Sequence, residues 1–145
     1  MNKIYALLFL LMLTSCHQKV SEQDISKING YWEIEKVIFP DGKEKEYTIN
    51  ETFDYFQIKD NKGFRKKVSP QLNGRFLVDD QSEKVELVFE KDKTYMVYTT
   101  PYAKWKEELQ ALSDEKMIVV NTAKAAYHYK KATPINLLDD GKKTK

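Results

Sequence analysis

The chain has 145 residues, one cysteine and a formal net charge of +2, from 24 basic and 22 acidic side chains. A single cysteine excludes an internal disulfide framework, and charges interspersed along nearly every segment exclude the concentrated basic face that nucleic acid requires. The fold must stand on one apolar core of ordinary single-domain size.

The chain opens with Lys3, an unbroken apolar run over residues 4–13, then Thr14, Ser15 and Cys16. A transmembrane helix needs about 20 apolar residues, so this run is too short to span a bilayer, and its order of charge, apolar stretch and small polar residues is that of a cleaved export signal. Leu13-Thr14-Ser15-Cys16 resembles the lipobox of bacterial lipoproteins, which implies diacylation at Cys16 and a mature protein that begins there. His17 stands where an aspartate commonly signals inner-membrane retention, so the outer membrane is the expected location, with the face left open. Residues 1–15 are thus expected as signal peptide and 16–27, polar and uncommitted, as a flexible tether.

Order is expected from Ile28. Residues 31–39 are rich in aromatic and β-branched side chains and stop at Pro40-Asp41-Gly42-Lys43, which predicts the first strand. Trp32 and Ile34 share one face, whereas Val37 and Phe39 follow out of phase, as a bulge would produce. Further strands are expected over 53–59, ended by Asp60-Asn61-Lys62-Gly63, and over 64–69, stopped by Pro70. A short strand over 75–78 should end in the polar run Asp79-Asp80-Gln81-Ser82. Val85, Leu87 and Phe89 alternate with acids and should face inward, and 95–98 returns as the partner of that strand. Residues 102–112 fit a helix face or an alternating strand, and the extended reading is preferred after Pro101. Residues 117–120 and 125–131 complete the series. Residues 133–145 are expected as a disordered tail.

Eight to ten short strands with regular turn signals predict an all-β antiparallel domain over 28–132. Gly30-Tyr31-Trp32, the hairpin from Leu109 through Val119 with its Leu112-Ser113-Asp114-Glu115 turn, and the closing Tyr127-His128-Tyr129-Lys130-Lys131 are similar to small lipocalin-like lipoproteins of Gram-negative envelopes. That resemblance implies an up-and-down barrel in which Trp32 plugs one end and Lys130 or Lys131 stacks on it. It also implies a small hydrophobic or amphipathic ligand, for which Trp32, Tyr55, Phe89, Tyr95, Trp105, Tyr127 and Tyr129 are the candidate lining.

Catalytic chemistry finds little to use. His128 is flanked by Tyr127 and Tyr129, so it faces outward if they face inward, and no nucleophile elbow, phosphate loop or metal-ligand spacing occurs. Asp79-Asp80 and Asp139-Asp140 sit in turn or tail contexts where solvation accounts for them. The lysines and arginine at 59, 62, 65, 66 and 67 straddle a predicted turn and read as a solvated hairpin tip. No enzyme activity, cofactor or metal is expected. The partners expected are a membrane through the lipid and a small apolar ligand; the alternative is an interaction module with a filled core.

Overall fold

A computed structural model of the chain describes residues 19–132. The expected signal peptide, Cys16 and the tail from 133 onward lie outside the described residues. The elements are a 3-10 helix, Glu22–Ile28, followed by β1 (Gly30–Ile38), β2 (Glu44–Glu46), β3 (Phe53–Lys59), β4 (Lys62–Pro70), β5 (Phe76–Phe89), β6 (Thr94–Thr99), β7 (Lys104–Leu112), β8 (Lys116–Val120) and β9 (Ala126–Lys131).

Strand β1 pairs with β3, each later strand pairs with the next, and β9 returns to β1, so eight antiparallel strands close into a barrel with β2 as a short flap on β1. Closure leaves the eight wall strands without a free lateral edge at the seam, where Trp32 pairs with Lys131 and Val37 with Tyr127. The ladder shifts register between Ile34 and Lys36, the bulge that the phase slip in the sequence demanded.

The turns follow their local chemistry. Asp60 and Asn61 take φ of 52° and 63°, the two consecutive positive values of the tight turn that joins Lys59 to Lys62. At Gly63 a Cβ would lie 1.8 Å from the Gln57 carbonyl oxygen, so only glycine fits beside that turn.

Two expectations are corrected. The first concerns the tether. Residues 19–27 belong to the fold: Val20, Ile25 and Ile28 are buried in the core, Thr94 Oγ1 donates to the Val20 carbonyl at 3.0 Å, and Ser21 caps the helix by accepting from Gln23 N–H. Ile25 and Ile28 stand three apart, which in a 3-10 helix places them on one face. The second concerns residues 75–89, where one 14-residue strand replaces two short ones, running straight through the polar run 79–82. Ladder bonds to β4 carry it, with a register shift between Lys66 and Val68. Above that shift the β4–β5 hairpin forms an arm: Phe76 stacks on Tyr31 at 3.9 Å and meets Phe53 at 5.9 Å, which puts a small aromatic cluster on the outer wall.

Residues 104–112 are strand, bulged between Leu109 and Ala111.

Candidate functional site

The barrel has two unlike ends. At the first, the 3-10 helix lies across the opening and Trp32 fills it, fully buried, with Nε1 donating to the Ile28 carbonyl at 2.7 Å. Lys131 Nζ sits 4.4 Å from the Trp32 ring centroid and donates to the carbonyls of Lys27 at 2.9 Å and Asn29 at 2.5 Å. Lys130 instead pairs with Glu33 on the outer surface at 2.9 Å. Burial lowers the Lys131 pKa against the opposing pull of the Asp114 charge, and the two carbonyls and the ring face hold the ammonium in place. Gly30 takes φ +115°, and a Cβ there would stand 3.2 Å from Lys131 Cε, so glycine gives this lysine its path to the ring. The Asn29 amide completes the seal, donating to the Ile58 carbonyl at 3.0 Å and accepting from the Ile58 N–H at 2.6 Å.

Above the plug the lumen is occupied by the chain's own side chains. Phe56, Ile58, Val85, Leu87, Met96, Leu109, Met117 and Val119 form one buried cluster with Trp32 and Tyr98. Toward the second end the lining turns polar. Arg65 projects inward from β4, its guanidinium 4.3 Å from the Tyr98 ring centroid and ion-paired with Glu83 across the β4–β5 ladder. Tyr98 in turn stacks on Trp105 at 5.3 Å with the planes 14° apart. Asp54, only 2% exposed, is ion-paired with the half-exposed Lys67. Burial holds the Glu107 carboxyl above its ordinary pKa, against the lowering effects of the Arg65 charge and a Trp105 hydrogen bond, and pushes the Tyr98 and Tyr129 phenols far up, keeping both neutral.

Outside this cluster Arg65, Lys67, Gln81, Ser82, Glu83, Thr100, Pro101 and Tyr102 line a groove of about 540 Å³ at the open end. Its depth is set by the Arg65–Tyr98 stack, so it is a mouth and not a deep apolar calyx. The combination can hold a molecule with one polar group near Arg65 and Lys67 and an apolar part along Pro101 and Tyr102.

The structure divides the residues expected to line a ligand cavity. Trp32 and Tyr129 are in the lumen, and Trp105 and Tyr127 pack partly buried against the same core. Phe89 packs at the plugged end beneath Lys19, not at the mouth. Tyr55 and Tyr95 face outward, and their assignment to the lumen is corrected. Tyr55 lies against Tyr31 at 4.8 Å on the outer wall, and Tyr95 lies under Lys106 at 4.2 Å. The alternation explains both: Asp54, Phe56 and Ile58 share the inward face of β3, and Thr94, Met96 and Tyr98 that of β6. Sequence reasoning missed Asp54, Tyr98 and Glu107, and its reading of Arg65 as part of a solvated hairpin tip is corrected: the side chain turns inward, paired with Glu83 and lying on the Tyr98 ring.

His128 is partly exposed between inward-facing Tyr127 and Tyr129, and desolvation with the Lys36 charge lowers its pKa. Among the described residues no group of three or more His, Cys, Asp or Glu side chains could hold a metal ion.

A closed eight-stranded antiparallel barrel with a tryptophan-plugged end, a 3-10 helix across that end and a polar mouth defines a lipocalin-like protein. The family model for the lipocalin-like domain matches residues 28–119, more than half of the chain, and the chain belongs to that family. A lipocalin-like protein from Bacteroides uniformis is similar in structure at 11% identity and a TM-score of 0.47, covering 73% of this chain and 99% of its own. An uncharacterized protein from Bacteroides eggerthii is similar at 15% identity and a TM-score of 0.45, covering 72% and 98%. No curated protein matches the chain.

Proposed function

We propose that this is a non-enzymatic binding protein of a bacterial envelope, held on the membrane by lipid at Cys16, preferentially the outer membrane. It takes a small amphipathic molecule at the mouth of the barrel. The observation that carries this reading is the groove of about 540 Å³ with the Arg65 guanidinium at its floor, a volume within the roughly 300–1,000 Å³ typical of small-molecule sites. Apolar side chains fill the lumen below, so the ligand's apolar part lies along Pro101 and Tyr102 at the rim and its polar group meets Arg65, Lys67 and Glu83.

Trp105 reports on this site because it stacks on Tyr98, which carries Arg65 on its ring. Titration with medium-chain fatty acids and with alkyl ammonium amphiphiles should give a saturable change in Trp105 emission. The change with fatty acids should be abolished in Trp105→Phe and weakened in Lys67→Ala, which removes a cation that would meet the carboxylate. A flat response to both probe classes would refute binding at the mouth. Membrane attachment is tested separately: Cys16→Ser should release the protein from membranes, and a serine variant that still took up a fatty-acid label would refute lipidation at Cys16.

A further inference from the structure

The charged side chains at the mouth are matched in a way that separates the two signs. Arg65 and Lys67 are the cations that line the groove, and each already has a partner. Arg65, whose side chain is 11% exposed, lies on the Tyr98 ring and pairs with Glu83, while Lys67 pairs with the buried Asp54. Glu107 adds a third carboxyl within reach of the Arg65 charge. Two cations therefore face three carboxyls. Whether Glu107 is ionised or neutral, the cluster carries no positive charge in excess.

An anionic head group entering the groove must draw Arg65 from Glu83 or Lys67 from Asp54. Either exchange strands a carboxylate, and Asp54 is too deeply buried for water to replace its partner. A cation meets no such obstacle. Arg65 Nε, at 2.5 Å, and Nη2 both contact Oε2 of Glu83, whereas a fork-on-fork pair would have occupied both oxygens. The guanidinium thus leaves Oε1 as an acceptor. The Glu83 side chain is 29% exposed and lines the groove, so an ammonium can reach Oε1 without displacing Arg65. Arg65 and Lys67, each neutralised by its own carboxylate, offer it little net repulsion.

We infer that the mouth selects a primary alkylammonium, whose cation meets Glu83 Oε1 while its chain lies along Pro101 and Tyr102. The selectivity rests on the mouth being a binding site and gives the head group its charge.

Three probes with one chain length isolate the head group: octylammonium, octyl glucoside and octanoate. They are titrated at neutral pH into the full-length Cys16→Ser protein, which has no acyl chain at that position to compete, with Trp105 emission as the readout. Octylammonium should bind about tenfold tighter than octyl glucoside, the gain of one charge-assisted hydrogen bond, and octanoate should bind more weakly than the glucoside. Added salt should weaken octylammonium and leave the glucoside unchanged. Glu83→Gln keeps an amide oxygen for Arg65 and should bring octylammonium down to the level of the glucoside. Octanoate that outbinds the glucoside, or octylammonium that does not, overturns the inference and leaves binding at the mouth standing. A preference for octylammonium that survives Glu83→Gln overturns its seat at Oε1. No saturable change with any of the three probes refutes binding at the mouth and the selectivity with it.

Discussion

Replacing Trp32 by alanine probes the plug and its supporting contacts together. The ring is fully buried, and a tryptophan buries about 150–250 Å², which at about 25 cal/mol per Å² gives about 4–6 kcal/mol before the alanine Cβ and relaxation are allowed for. The bond to the Ile28 carbonyl adds about 1 kcal/mol, and the Lys131 ammonium over the ring adds about 1 kcal/mol more. Partial collapse of the helix onto the hole offsets some of this, so the expected loss is about 4–5 kcal/mol, near the upper end of aromatic truncations in cores. For a domain of this size that lowers Tm by about 15–20 °C. Urea unfolding of Cys16→Ser protein, followed by circular dichroism with and without Trp32→Ala, measures it. Trp32→Phe keeps most of the area but leaves the Ile28 carbonyl unpaired, and should cost about 1–2 kcal/mol. A loss below about 1.5 kcal/mol for the alanine variant would show that the ring is not packed as described, and the plug would have to be abandoned.

Deleting residues 19–27 should cost about 3–5 kcal/mol in the same assay, because Val20 and Ile25 leave the core; a neutral deletion would make this segment a tether after all. Lys131→Met keeps the stem on Trp32 but abandons the carbonyls of Lys27 and Asn29, and should cost about 1–2 kcal/mol. Arg65→Met should cost about 2 kcal/mol, less than a fully buried pair, since Glu83 stays partly in water; Arg65→Lys should recover part of it. Burial raises the Glu107 pKa in the folded state, so the folded protein holds more protons than the unfolded chain between the ordinary carboxylate pKa and the raised one. Its contribution is therefore favourable below the ordinary value and is lost as pH rises through the raised one. Glu107→Gln should flatten the stability profile above the ordinary carboxylate range, and an unchanged profile would refute the assignment.

The barrel was readable because its wall is written in period two, and even the bulge in β1 showed as a slip between Ile34 and Val37. What resisted were strands whose two faces are both apolar. In β6, Tyr95 and Val97 compete with Met96 and Tyr98 for the inward face, and only the partner strands decide. In β3 the acid at Asp54 argued against the inward face that it in fact shares with Phe56 and Ile58, because the lysine that neutralises it lies on β4. The plug was legible in outline at Gly30, Trp32 and the final lysines, since each has a local signature. The mouth was not: Arg65, Glu83, Tyr98 and Glu107 come from four strands and meet only when the sheet curls. The helix over 22–28 hid among polar residues, with Ile25 and Ile28 as its sole apolar signal.

The seam sets the order of events during synthesis. β1 pairs with β9, and the bond from Lys131 to Lys27 joins residues 104 apart, so the first wall strand waits for the last. A chain that emerges amino-terminus first can form the β3–β4 and β5–β6 hairpins early, but it cannot close, plug or bury Trp32 until Lys131 is out. Closure of such distant partners is slow on the scale of small domains. The unfinished sheet carries two open edges throughout that wait, which makes the interval before the six residues of β9 arrive the period of greatest hazard from mispairing with neighbouring chains.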